Sequence, residues 1–190
     1  LVEDFLALVR IDSESGQEGK IRDFLKTRLE ALGFAVYEDE AGKILGTESG
    51  NLIAWKDGDL PGPAIFLSAH MDTVSPGKGI NPVVEGGVIR SSGDTILGGD
   101  DKAGIAAILE ALQVIRERNL SHVPLEVILT VIEEKGLMGS SLLDLTRIKS
   151  KLGFVLDAEG PVGTIIVRGP AHNDIDITVR GKAAHAGINP

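Results

Sequence analysis

The stretch Ala64–Asp72, AIFLSAHMD, sets the fold class. Its first six residues form a nearly continuous apolar run, the pattern of a strand buried on both faces. A strand with one solvated face would alternate instead. Sheets of the doubly buried kind are largely parallel and are covered by helices. The run ends abruptly at His70 and Asp72. Leu125–Ile132 (LEVILTVI) repeats the pattern and ends at Glu133-Glu134, and the shorter Gly153–Leu156 (GFVL) ends at Asp157. An apolar pair, Ile96-Leu97, precedes Gly98-Gly99-Asp100-Asp101.

Helical periodicity fills the gaps between these runs. Residues 2–10 and 17–32 read as helices, the second with Ile21, Phe24, Leu25, Leu29 and Leu32 on one face and a stop at Gly33. The clearest helix spans 102–118, where Ile105, Ile108, Leu109, Leu112 and Ile115 share a face. Residues 139–149 also read as helical. Phe34–Glu38, Asn51–Trp55 and Gly163–Val167 read as further strands, and VVEGGVIR (83–90) as a hairpin turning at Gly86-Gly87. This alternation predicts an α/β domain built on a largely parallel twisted sheet flanked by helices. Near residue 170 the pattern changes: Ile175, Ile177 and Val179 alternate strictly. A domain boundary is therefore expected at about Gly169, with residues 170–190 only beginning a second domain.

Composition narrows the function. The 190 residues are 43% hydrophobic and 25% charged, as in ordinary globular proteins. No apolar run is long enough to span a bilayer, and Glu3, Asp4 and Arg10 interrupt the first eleven residues where a signal core would lie. The formal net charge is −9 and no basic stripe is present, which argues against nucleic acid as a partner. There are no cysteines. Disulfides, thiolate metal sites and cysteine nucleophiles are thereby excluded, a usage that suits a reducing, cytoplasmic compartment. Any metal must be held by His, Asp and Glu.

In an open α/β sheet, ligands bind beyond the carboxyl ends of the strands. Four segments bring His70, Asp72, Asp100, Asp101, Glu133, Glu134 and Asp157 to that one rim. Residues i and i+2 of extended chain point to the same side. Asp72 can therefore accept from one imidazole nitrogen of His70 while the other binds a metal; the simpler reading is a satisfied histidine at a strand end. Glu133 and Glu134 point in different directions, which suits one metal ligand and one base, or else an exposed acidic turn. Asp100 between glycines suits a carboxylate bridging two ions ~3.5–4 Å apart, with Asp101 capping the helix that begins at Lys102. A phosphate loop is the competing reading, but neither GxxxxGK[ST] nor GxGxxG occurs. His122 reads as a surface residue, His172 has no evident partner, and His185 sits among small residues in GKAAHAG.

Together SAHMDTV, GGDDKAG, VIEEKGLMGS, VLDAEG and GKAAHAG come in the order and spacing of a known family. The chain resembles the two-metal exopeptidases and amidohydrolases that include carboxypeptidase G, aminoacylase, succinyl-diaminopimelate desuccinylase and peptidase T, and it looks most like the peptidase T group. The resemblance implies a zinc exopeptidase-like catalytic domain over residues 1–169 and, over 170–190, the start of an α+β lid or dimerisation domain. It implies two divalent metal ions, zinc with cobalt or manganese as alternatives: His70 and Asp157 on one, Glu134 on the other, Asp100 bridging. It further implies Asp72 as the orienter of His70, Glu133 as the general base, and His185 as a group that reaches a neighbouring subunit's site in a homodimer. The peptide bond after the bridging Asp is often cis in the family, so Asp100–Asp101 is expected to be cis. The implied activity is removal of residues from short peptides; deacylation of N-acyl amino acids and a catalytically silent binding role are the alternatives. The family's last metal-ligating histidine comes from near its C-terminus, and no histidine here matches it. The chain thus reads as the N-terminal half of such an enzyme, expected to bind metal weakly and to turn nothing over alone.

Overall fold

The structure, a computed structural model, describes residues 1–169, 175–178, 180–182 and 187. In chain order its elements are α1 (Val2–Val9), α2 (Gly19–Ala31), β1 (Ala35–Glu38), α3 (Ala41–Leu45), β2 (Leu52–Lys56), β3 (Ile65–His70), β4 (Pro82–Glu85), β5 (Val88–Ser91), α4 (Gly99–Glu117), β6 (Leu125–Thr130), α5 (Met138–Ser141) and β7 (Leu152–Val155). They lie in the first of two compact units, Leu1–Ala158; the second is Glu159–Pro190. The main sheet has the order β1-β2-β6-β3-β7. β6, β3 and β7 run parallel, and β1 and β2 add an antiparallel edge.

β6 is buried along its whole length, as its unbroken apolar run requires. Leu125, Val127 and Leu129 join one core with Leu52 and Ala54 of β2, Ile21, Leu25 and Leu29 of α2, and Ile105, Ile108, Leu109 and Leu112 of α4. On the opposite face, the buried Glu126 carboxylate accepts the backbone N–H groups of Lys149 and Ser150. β3 differs from the doubly buried strand expected of it: only Ala69 and His70 are fully buried. The cause is its neighbour β7, the sheet's edge, whose Leu152, Phe154 and Val155 are half exposed or more.

Two sequence expectations need correction. The helix expected over 139–149 stops at Ser141. Beyond it, Asp144 Oδ1 accepts from both the N–H and the hydroxyl of Thr146, and a side chain that captures nearby amides competes with the helical ladder. Gly163–Val167 forms no strand; Ile165, Ile166 and Val167 are exposed, and no strand pairs with them among the described residues. Of the alternating stretch near 175, residues 175–178 are not strand, and Val179 lies outside the described residues.

The hairpin forms as read, with β4 and β5 antiparallel and Gly86 and Gly87 at φ +59° and +79°. Two consecutive positive φ values define the turn type whose twist matches the flanking strands. Space around Gly87 is open, so Gly87→Ala meets only the backbone penalty. It should lower stability by about 1–2 kcal/mol, read from the midpoint of chemical denaturation.

Candidate metal centre

The carboxyl end of β3 delivers His70 into a buried position and Asp72 into a fully buried one. Asp72 is the hub of the site. Its Oδ2 accepts from Ser15 Oγ at 2.7 Å and from the N–H of Glu134 at 3.2 Å, and its Oδ1 accepts from the N–H of Glu133 at 2.9 Å. Burial alone would push this carboxyl up, but His70 and the hydrogen bonds from Ser15 and Glu133 outweigh it and hold the group below the usual aspartate range. It therefore stays ionised.

His70 Nδ1 faces Asp72 Oδ1 at 3.4 Å, the orientation expected of an orienting carboxylate, though longer than a well-formed hydrogen bond. Its Nε2 lies 3.0 Å from Asp100 Oδ1 and 3.9 Å from Glu133 Oε2. Burial opposes a charge on the ring, yet Asp72 and Asp100 override it and push the imidazole up to about 10. The carboxylates around His70 thus favour a positive charge at this point of the site.

One ligand atom each from His70, Asp100 and Asp157 lies within 4.8 Å of the others, and the same holds for His70, Glu133 and Glu134. Burial raises the carboxyls of Glu133, Glu134 and Asp157; mutual repulsion adds to it, Asp157 acting on Glu133 and Asp100 on the other two. A cluster of imidazole and crowded carboxylates of this kind is short of cations, and its N and O donors suit a hard or borderline divalent ion. The residues present therefore fit the metal ions that the resemblance implies.

The GGDDKAG segment opens α4. Gly98 is left-handed at φ +72°, and Asp100 and Asp101 have non-helical backbone, so the regular helix starts at Lys102. The Asp100–Asp101 peptide bond is cis. The two carboxylates separate: Asp100 is exposed towards His70, whereas Asp101 is buried. Asp101 accepts from Gly104 N–H at 3.1 Å, the capping role read from sequence, and from His70 N–H at 3.4 Å. Burial, with Asp157 nearby, pushes Asp101 up to about 7.

His122 is half-buried, and its imidazole Nδ1 faces only the carbonyl of Val123, at 2.8 Å. Its backbone N–H donates to Asp59 Oδ1, and its carbonyl accepts the N–H groups of Asp59 and Leu60. It precedes β6, at the end of the strands opposite the rim, and joins the turn before β3. His172 and His185 lie outside the described residues. Sequence reasoning passed over Glu18 and Asn51, both fully buried, which hold the segment that carries Glu133 and Glu134. Ser15-x-x-Glu18 has the form of a helix capping box, which gives Glu18 an ordinary local explanation, and Asn51 only heads a strand.

Residues 51–174 match peptidase family M28. Peptidase T of Escherichia coli O1:K1 / APEC is 30% identical over 98% of this chain and 54% of its own length. A tripeptidase from Staphylococcus aureus subsp. aureus mu50 superposes with a TM-score of 0.83 at 43% identity, over 85% of this chain and 44% of the other. The aminopeptidase PepT of Bacillus cereus ATCC 10987 gives the same TM-score at 44% identity and the same coverage. The chain thus spans about half the length of the relatives it matches. Among the described residues no helix is long and apolar enough to cross a membrane.

Proposed function

From the premise that this chain belongs to peptidase family M28, we propose that the full-length protein is a two-metal aminopeptidase that removes N-terminal residues from short peptides, acting as a cytoplasmic homodimer. The observation that carries the reading is the convergence of His70, Asp100, Glu133, Glu134 and Asp157 at the carboxyl end of the parallel strands. The relatives named as a tripeptidase and an aminopeptidase supply the substrate class.

In this reading His70 and Asp157 would hold one ion, Glu134 the other, and Asp100 would serve both. Divalent ions held there, zinc in this reading, would supply a Lewis acid for the scissile carbonyl and would lower the pKa of a bound water. Asp72 faces His70 Nδ1 and leaves Nε2 turned towards Asp100 and Glu133, where it would serve as a ligand. Glu133 is left as the base: its carboxylate is partly exposed and raised by burial, which moves it towards the range in which a carboxylate both accepts and returns a proton. Glu133 takes the proton of the attacking water and delivers it to the leaving amine, so no net proton is retained.

The test is metal removal. Dialysis of the full-length protein against a chelator should abolish release of N-terminal residues from di- and tripeptides, and added zinc should restore it. Activity that survives complete metal removal, or confinement of activity to N-acyl amino acids, would refute the proposal.

A further inference from the structure

The segment leaving β6 is held in an unusual way. Four consecutive backbone amides, of Val131, Ile132, Glu133 and Glu134, each donate to a side-chain oxygen and not to a neighbouring strand. The acceptors are Asn51 Oδ1 at 3.1 Å, Glu18 Oε1 at 3.1 Å, Asp72 Oδ1 at 2.9 Å and Asp72 Oδ2 at 3.2 Å. They come from three parts of the chain, 114, 80 and 61 residues away from their partners for Glu18, Asn51 and the Asp72–Glu133 pair.

We propose that Glu18 and Asn51 are positioning residues for the Glu133–Glu134 carboxylates, acting through the amides of Ile132 and Val131. The proposal rests on the reading of Glu133 and Glu134 as base and ligand. Ile132 carries the geometric argument. It is a β-branched residue at φ +50°, a conformation such residues rarely adopt. Directly after this turn the amides of Glu133 and Glu134 donate to Asp72, and an oxygen of each carboxylate lies within 4.8 Å of a His70 ring nitrogen. With its side chain buried in the core, Ile132 is fixed on one side by packing and on the other by the Glu18 carboxylate.

Asn51 closes the base of the loop. Its Nδ2 donates to Gly139 O at 2.9 Å while its Oδ1 takes Val131 N–H, so one amide group ties both ends of residues 131–139. Asp39 fixes which way that amide faces, accepting Asn51 Nδ2 at 2.8 Å and Asn51 N–H at 2.8 Å. The crossing is tight: a Cβ on Gly139 would stand 2.0 Å from Val131 O. Glu18 is half used. Oε1 takes the Ile132 amide, while Oε2 is buried without a hydrogen-bond partner among the described residues. A glutamine keeps the needed acceptor, and an aspartate, shorter by one methylene, keeps the charge but falls short of the amide.

The experiment uses the full-length protein, with zinc as the metal probe in competition with a chromophoric chelator, beside kcat, KM and thermal unfolding. Glu18→Ala should weaken zinc binding and lower kcat, each by roughly 10–100-fold, as removal of an outer partner of a metal ligand does, with KM within about threefold. Glu18→Gln should stay within about threefold of wild type in both, and Glu18→Asp should resemble Glu18→Ala. Should Glu18→Ala not fold, Glu18→Asp against Glu18→Gln decides. Unchanged zinc affinity and kcat in Glu18→Asp, or loss of both in Glu18→Gln, overturns the proposal, whatever the unfolding temperatures. Glu134→Ala separates this from the underlying reading. If Glu134→Ala leaves zinc affinity intact, the ligand assignment itself fails; if it weakens binding while Glu18→Asp does not, only the positioning role fails.

Discussion

Glu133→Gln in the full-length protein should lower kcat by ~10³-fold, within the range a positioned acid–base group contributes, and leave KM and bound zinc near wild-type values. Glutamine preserves size and polarity, and the hydrogen bond from this residue to Asp72 is made by its backbone N–H, so the loop keeps its anchor. Only the ability to accept a proton is lost. A tenfold fall in rate is about 1.4 kcal/mol of barrier, so the substitution removes roughly 4 kcal/mol of transition-state stabilisation. A fall in kcat with KM unchanged is the signature of an interaction made only in the transition state. The geometry gives this experiment a second use, because Glu133 and Glu134 both have an oxygen within ligand reach of His70. If zinc affinity falls with Glu133→Gln and holds with Glu134→Gln, the two carboxylates exchange roles.

The part of this site that could be read from sequence is the part that lies at the ends of apolar runs. His70, Glu133 and Asp157 each terminate or follow a run that burial makes conspicuous, and strand ends on one rim are brought together by parallel topology itself. The capping role of Asp101 was also legible, since glycines on both sides and a helical pattern starting at Lys102 leave one aspartate to serve the helix start. What could not be read were the acceptors behind the rim. Glu18 sits in a motif with an ordinary local explanation, and Asn51 heads a strand where a polar residue is unremarkable. Their partners are distant in sequence, and no periodicity reports a contact of that kind.

The misread elements have a common physical origin. Leu142, Leu143 and Leu145 continue the apolar spacing beyond Ser141, so periodicity extends the helix, but the Asp144 side chain takes the Thr146 amide and ends it. Gly163–Val167 has the composition of a strand and no neighbouring strand to pair with among the described residues. β3 was read as buried on both faces from an apolar run that is genuine; its first residues are only half-buried because β7 forms the edge of the sheet. Apolar pattern reports a demand for cover. It does not report which part of a protein supplies it.

Gly104 sets two such effects against each other and lets magnitude choose. It lies within α4 with an ordinary negative φ, and helix propensity alone predicts that Gly104→Ala stabilises the protein by about 1 kcal/mol. Packing predicts the reverse. An added Cβ would stand 2.3 Å from Asp101 Oδ1 and 2.7 Å from Leu156 O, and neither neighbour is free to yield. Asp101 is buried and accepts from Gly104 N–H and His70 N–H. Leu156 is bound through its own N–H to Ser68 O at 2.9 Å, beside β3. Overpacking of this kind costs about 1–3 kcal/mol, and a buried donor left without its acceptor costs about 1–3 kcal/mol more. Set against the propensity gain, the net expectation is a loss of roughly 1–5 kcal/mol, read from chemical denaturation of the full-length protein. The displacement is also directional. Moving Asp101 and Leu156 shifts the residues attached to them, Asp100 and Asp157, which are two of the three groups around His70. Zinc affinity should therefore fall together with stability. A variant as stable as wild type would show that propensity wins and that the contact between α4 and the end of β7 is loose. A destabilised variant with full zinc affinity would separate the packing of Gly104 from the candidate metal centre beside it.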